Sequence, residues 1–158
     1  MSHETTGKKT PYEEIKDSVR EKHHEEALKW LEYAEGDSAV AHHLQEDFFH
    51  PRCLEIICYH CSQAAEKAVK AVLVDLGSPG GMPQKHDIAF ILNQMKNIIK
   101  KEKGMIISEE MLDMADELSD YSVDVRYPNE IHVDDYKTKK AVEKMDYFMN
   151  WAKEALGK

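Results

Sequence analysis

The feature that most constrains this chain is a stripe of apolar residues at alternating steps of three and four, which an α-helix brings onto one face. Between Asp17 and Gln45 the stripe runs Ala27, Trp30, Leu31, Ala34, Ser38, Ala41. From Pro51 to Leu76 it runs Leu54, Cys58, Cys61, Ala65, Ala68, Val72, widened by Ile57, Ala64 and Ala71. This second segment, rich in small residues that allow close approach, is expected to be the central, most buried helix. A third stripe is Ile88, Ile91, Met95, Ile98, a fourth Met111, Met114, Leu118, Tyr121, Val125, and a fifth, from about Asp134, Ala141, Met145, Phe148, Ala152. No segment alternates with the period of two that a strand requires, and neither an internal repeat nor a low-complexity tract is present. The expected fold is all-α, an up-and-down antiparallel bundle of four to five helices joined by connections of modest length.

Residues 1–16 are expected to form a polar N-terminal extension and 17–158 the bundle, with helical character starting after Pro11. Gly36 and Asp37 mark a candidate break in the first helix. Pro51 suits the first turn of the second. Gly77, followed by Ser78-Pro79-Gly80-Gly81, stops the second helix. Asp87 and Ser108 are candidate caps for the third and fourth, and Glu109 and Glu110 suit the positive end of the fourth helix dipole.

A chain of 158 residues is one ordinary domain, able to enclose a core without staples. Its 32% charged residues with only 7 Gly and 5 Pro suit solvated helices better than a turn-rich sandwich. The net charge of -9 disfavours non-specific binding to phosphate polymers, so DNA is not an expected partner. Lysine runs at Lys96, Lys100, Lys101 and Lys103, and at Lys137, Lys139 and Lys140, read as solvated helix faces and ends. The three cysteines Cys53, Cys58 and Cys61 share one apolar helical stretch. They read as buried thiols of a cytoplasmic protein rather than a disulfide framework or a zinc site, and no metal or other cofactor is expected. MSHETTGKKT lacks the apolar core of a signal peptide, and no run is long enough to cross a membrane.

The stretch from Cys58 to Ala71, CYHCSQAAEKAVKA, resembles the second-helix signature of HEPN domains. Lys85-His86-Asp87-Ile88 at a helix start, Arg126-Tyr127-Pro128 after the fourth helix, and Trp30, Ala34 and Asp37 upstream resemble further family motifs, over roughly residues 25–157. The order and spacing of the four motifs carry the resemblance. It implies a short antiparallel bundle, often a homodimer, with a prokaryotic history of nucleotide or RNA work. Many such proteins pair with a minimal nucleotidyltransferase as toxin and antitoxin. Active members cut RNA without metal, using an Arg and a His separated by four to six residues.

Arg126 and His132, with five residues between them, fit that catalytic spacing. Arginine holds a phosphate through paired donors, and histidine moves a proton near neutral pH. Active members carry a polar residue after the arginine, whereas this chain has Tyr127 and then Pro128. On a continuous helix, six steps of about 100° would also leave the two side chains roughly 120° apart, so convergence needs a loop or a second subunit. The alternative is a structural ion pair at Arg126 and an exposed loop histidine at His132. His86, Asp87, Arg126 and Tyr127 are candidate ligand-binding residues, His86 and Asp87 equally reading as a helix cap and its neighbour. Gln63, Glu66, Lys67 and Lys70 form a polar side of the second helix, either solvated or within a dimer or partner interface. Two functions follow. One is a HEPN-type binding module that dimerises and engages a nucleotide or a minimal nucleotidyltransferase. The alternative is a metal-independent ribonuclease toxin centred on Arg126 and His132. A scaffold with no ligand is the third reading.

Overall fold

The computed structural model describes residues 7–47, 50–77, 87–122 and 133–158. Among them are five helices: α1 (Pro11–Glu46), α2 (Cys53–Asp75), α3 (Ile88–Lys103), α4 (Glu109–Ser119) and α5 (Asp135–Ala155). One turn of 3-10 helix, Asp120–Ser122, follows α4, and no strand is found among the described residues. The chain is all-α, and α1, α2, α4 and α5 run alternately up and down.

Local chemistry sets most of the helix starts. Thr10 and Glu13 make a reciprocal capping box at the start of α1, with Pro11 in the first turn. Asp87 accepts from the Phe90 amide at 3.1 Å, Ser108 from Met111 at 3.1 Å, and Asp134 from Lys137 at 2.8 Å. Gly77 follows the end of α2 at φ +75°, where a side chain would be strained and its Cβ would meet the His23 ring at 3.2 Å.

The α1–α2 hairpin is antiparallel, and its cross-links show it. Trp30 lies beneath the Lys70 ammonium, 5.4 Å from ring centroid to nitrogen. His24 meets Asp75 at 2.8 Å, and Lys103 of α3 joins the same carboxylate. α2 is the central helix: fourteen of its residues are buried, packed against α1 on one side and α5 on the other. Ala64, Ala65, Ala68 and Ala71 are fully enclosed. Phe148, Met145, Leu31 and Ile57 fill the volume between the helices.

Four features differ from the sequence expectation. α1 runs unbroken through Gly36 and Asp37, because the Asp37 side chain is held by α2. An interior glycine costs only about 1 kcal/mol, which packing outweighs. Pro51 precedes rather than opens α2, in a turn closed by the Cys53 amide on the His50 carbonyl at 2.9 Å. On α3, Ile98 is 45% exposed, while Leu92 and Ile99 are fully buried. The buried stripe of α3 thus runs Ile88, Ile91, Leu92, Ile99, a face rotated from the one expected. On α4, Ala115 takes the fully buried place and Met114 is partly buried, while Tyr121 sits in the 3-10 turn. Val125 lies outside the described residues. No helix among the described residues is long and apolar enough to cross a membrane.

Candidate functional site

α4 with its 3-10 turn and the first half of α5 enclose a cleft of about 450 Å³. Its walls are Tyr121 and Tyr136, and Lys137, Lys140 and Lys144 project from one face of α5 at steps of three and four. Glu117 and Asp120 supply the acidic side. Lys144 is paired with Glu117 across the cleft. Lys140 meets Glu143 at 3.3 Å and lies over the Tyr136 ring at 5.6 Å. Burial pushes the Tyr121 phenol up to about 12, so it stays a neutral hydrogen-bond donor at physiological pH. Cations beside aromatic faces suit anionic, planar ligands: ammonium groups meet phosphate and rings stack on bases. On the buried side of α5, Thr138 donates to the Asp134 carbonyl at 2.9 Å and accepts from the Cys58 thiol at 3.7 Å.

Of the residues singled out from sequence, Arg126, Tyr127, His132 and His86 lie outside the described residues. Arg126, Tyr127 and His132 fall between Ser122 and Val133 in the chain. Asp87 is the cap of α3, its carboxylate engaged by the Phe90 amide.

Gln63, Glu66, Lys67 and Lys70 sit along α2 where it meets α1. Glu66 is 5% exposed, and its carboxylate holds Lys70 at 2.9 Å. Lys67 and His60 both bind Asp37, His60 at 2.8 Å. Burial alone would raise the Asp37 pKa, but the hydrogen bonds from His60 and Lys67 outweigh it and hold the carboxyl below its ordinary value. Asp37 thereby ties α1 to α2 through Lys67, and Lys70 reaches Trp30 of α1. Lys67 and Lys70 therefore join two helices of one chain.

Four cleft residues, Glu117, Asp120, Tyr136 and Lys144, were not singled out from the sequence. The signal for Lys144 was available: Lys137, Lys140 and Lys144 share one helix face by spacing alone. What spacing could not supply was the wall opposite them, which comes from α4 and its 3-10 turn.

The three cysteines are free and buried. Burial raises Cys58 to about 11 and pushes Cys61 up as well. No group of three potential metal-binding side chains occurs among the described residues.

The fold and the cleft define a small antiparallel helical-bundle domain with a lysine-lined, tyrosine-walled recess at one end. The family model described as HEPN domain matches residues 21–155, and the chain belongs to the HEPN domain family. Its fold is similar to the crystal structure of TT1696 from Thermus thermophilus, with TM-score 0.64 and 18% identity over 82% of this chain and 97% of that one. It is likewise similar to ST0689, an archaeal HEPN homologue, with TM-score 0.61 and 20% identity over the same shares of each chain. At these identities the likeness is one of fold. No curated protein matches the chain.

Proposed function

We propose that this chain is a HEPN binding module that dimerises and engages a nucleotide or a minimal nucleotidyltransferase. The observation that carries the reading is the convergence of Lys137, Lys140 and Lys144 with Tyr121 and Tyr136 in one cleft, in a chain whose net charge is -9. Lysines gathered beside aromatic rings on an acidic protein give an anion a local set of donors once they exchange Glu117 and Glu143 for it, without attracting phosphate polymers everywhere. Arg126 and Tyr127, singled out by the family motif, are the further candidates for ligand binding, one as a bidentate phosphate clamp and the other as a stacking ring.

The test is binding of fluorescent mononucleotides and short RNA. Arg126→Ala and the pair Lys140→Ala/Lys144→Ala should each weaken binding about tenfold or more, the loss of one charge-assisted contact or better. Arg126→Lys should restore little, because a point charge does not replace paired donors. Unaltered affinity in all three variants would overturn the assignment of the cleft.

The five-residue interval between Arg126 and His132 supports the second reading, a metal-independent ribonuclease toxin. His132→Ala separates the two. In the binding module it changes affinity little. In the nuclease it removes RNA cleavage and growth toxicity while binding persists.

A further inference from the structure

α1 is longer than the bundle it belongs to. Its 36 residues span about 54 Å, against about 34 Å for the 23 residues of α2. The end of α2 lies level with His24, through the Asp75 contact, and the first buried residue of α1 is Ala27. Residues 11–22 therefore run past the end of α2 as an arm. Isolated helices this short are marginal in water, yet the start of the arm is specified by a full capping box and a first-turn proline. The arm also carries Tyr12, Ile15 and Val19, which are 72%, 65% and 45% exposed. The family match begins at residue 21, so these three residues belong to this chain and not to the shared domain.

The exposed positions continue along the packed half of α1. Tyr12, Val19, Glu26, Tyr33 and Val40 recur every seven residues, and Ile15, Lys22, Lys29 and Gly36 lie between them at the second position of a heptad seam. Two adjoining grooves line that half. One, about 470 Å³, includes Lys22, Glu26, Lys29 and Tyr33. The next, about 590 Å³, includes Lys29, Tyr33, Gly36 and Val40.

We propose that the arm of one chain packs antiparallel along α1 of a second copy, each arm filling the grooves of the other. This rests on the dimer reading above and assigns its interface. With the two-fold axis at His24, the seam layers between residues 12 and 36 are complementary. Tyr12 lies over the partner's Gly36, where the missing side chain leaves room for a ring. Ile15 meets the partner's Tyr33. Val19 packs on the aliphatic stem of the partner's Lys29. At the centre Lys22 faces the partner's Glu26, so each chain contributes one charge of each sign. The same stripe explains both the exposed apolar residues of the arm and the grooves beside Tyr33.

The full-length chain in light scattering should give twice the 18.2 kDa chain mass at micromolar concentration. Ile15→Glu/Val19→Glu should weaken self-association at least tenfold while the bundle still folds cooperatively, its melting temperature falling only by the lost stabilisation of dimerisation, because Ile15 and Val19 lie outside the buried core. Ile15→Cys mixed with Tyr33→Cys should form a disulfide-linked heterodimer under mild oxidation. A dimer that survives Ile15→Glu/Val19→Glu would overturn this interface while leaving the dimer reading standing. A monomeric wild-type chain would overturn both. Cross-linking of Ile15→Cys to itself, or to Val40→Cys in preference to Tyr33→Cys, would overturn the antiparallel sense or the register.

Discussion

His60 Nδ1, on α2, donates to Oδ1 of Asp37, on α1, at 2.8 Å, and Lys67 takes the other oxygen of the same carboxylate. One aspartate thus ties two positions of α2, seven residues apart, to the middle of the longest helix. Asp37 is 13% exposed, against 25% for His60 and 30% for Lys67. The carboxylate is the desolvated member, and its loss leaves two donors unmatched at the helix interface.

Asp37→Ala should destabilise the protein by about 2 to 3 kcal/mol, somewhat less than a fully buried pair because His60 and Lys67 keep contact with water. Urea denaturation measures it. A double-mutant cycle with Lys67→Met should show coupling. Additive losses would mean that Asp37 contributes only through packing.

The same contact makes stability sensitive to acid. The Asp37 carboxyl is held below its ordinary value of 3.8 in the folded state. A depressed carboxyl contributes stability that is present above the unfolded value and is lost as pH falls through the folded one. Denaturation midpoints should therefore drop below about pH 4, and Asp37→Asn should lose less over that interval than wild type. Parallel acid profiles for the two proteins would contradict this.

Adjacent residues on α3 give a direct comparison. Ile99 is fully buried and Ile98 is 45% exposed. Ile99→Ala should cost about 2 to 5 kcal/mol through lost burial and a residual cavity. Ile98→Ala should stay within about 1 kcal/mol, a surface change with some lost contact. Equal costs would mean that the α3 face is assigned incorrectly.

The thiols should be inert in the native state. Cys53, Cys58 and Cys61 are all buried, and burial lifts Cys58 to about 11. Thiolate is the reactive form, so an aromatic disulfide reagent at neutral pH should label none of them rapidly and all three after denaturation. A fast native phase would place at least one thiol at the surface.

Gly36 offers a substitution that stabilises the isolated chain. A Cβ there meets nothing within 4 Å, and the backbone is helical. Gly36→Ala in the Ile15→Glu/Val19→Glu background should raise stability by up to about 1 kcal/mol by reducing unfolded-state entropy. In the otherwise unaltered chain it should weaken self-association, since the methyl group occupies the notch opposite Tyr12. A thermal melt and a light-scattering titration read the two effects separately.

By itself the sequence determined an all-α bundle of four to five helices, the caps at Asp87 and Ser108, the stop at Gly77, and α2 as the buried centre. Each of these is set within a few residues, by the 3.6-residue period or by one side chain reaching a neighbouring amide. The family motifs in α2 could be read for the same reason. Three-dimensional packing decided the rest. Whether α1 breaks at Gly36 depends on His60 and Lys67, more than twenty residues away. Whether Ile98 or Ile99 faces the core depends on how α3 rolls against α4, and both positions fall within the width of one apolar stripe. The lysine face of α5 is visible as a spacing, but it becomes a cleft only when Tyr121 and Glu117 are brought opposite by α4 and the 3-10 turn. Helix formation is local and cooperative along the chain, whereas helix orientation and clefts are properties of pairs of surfaces, which no single segment encodes.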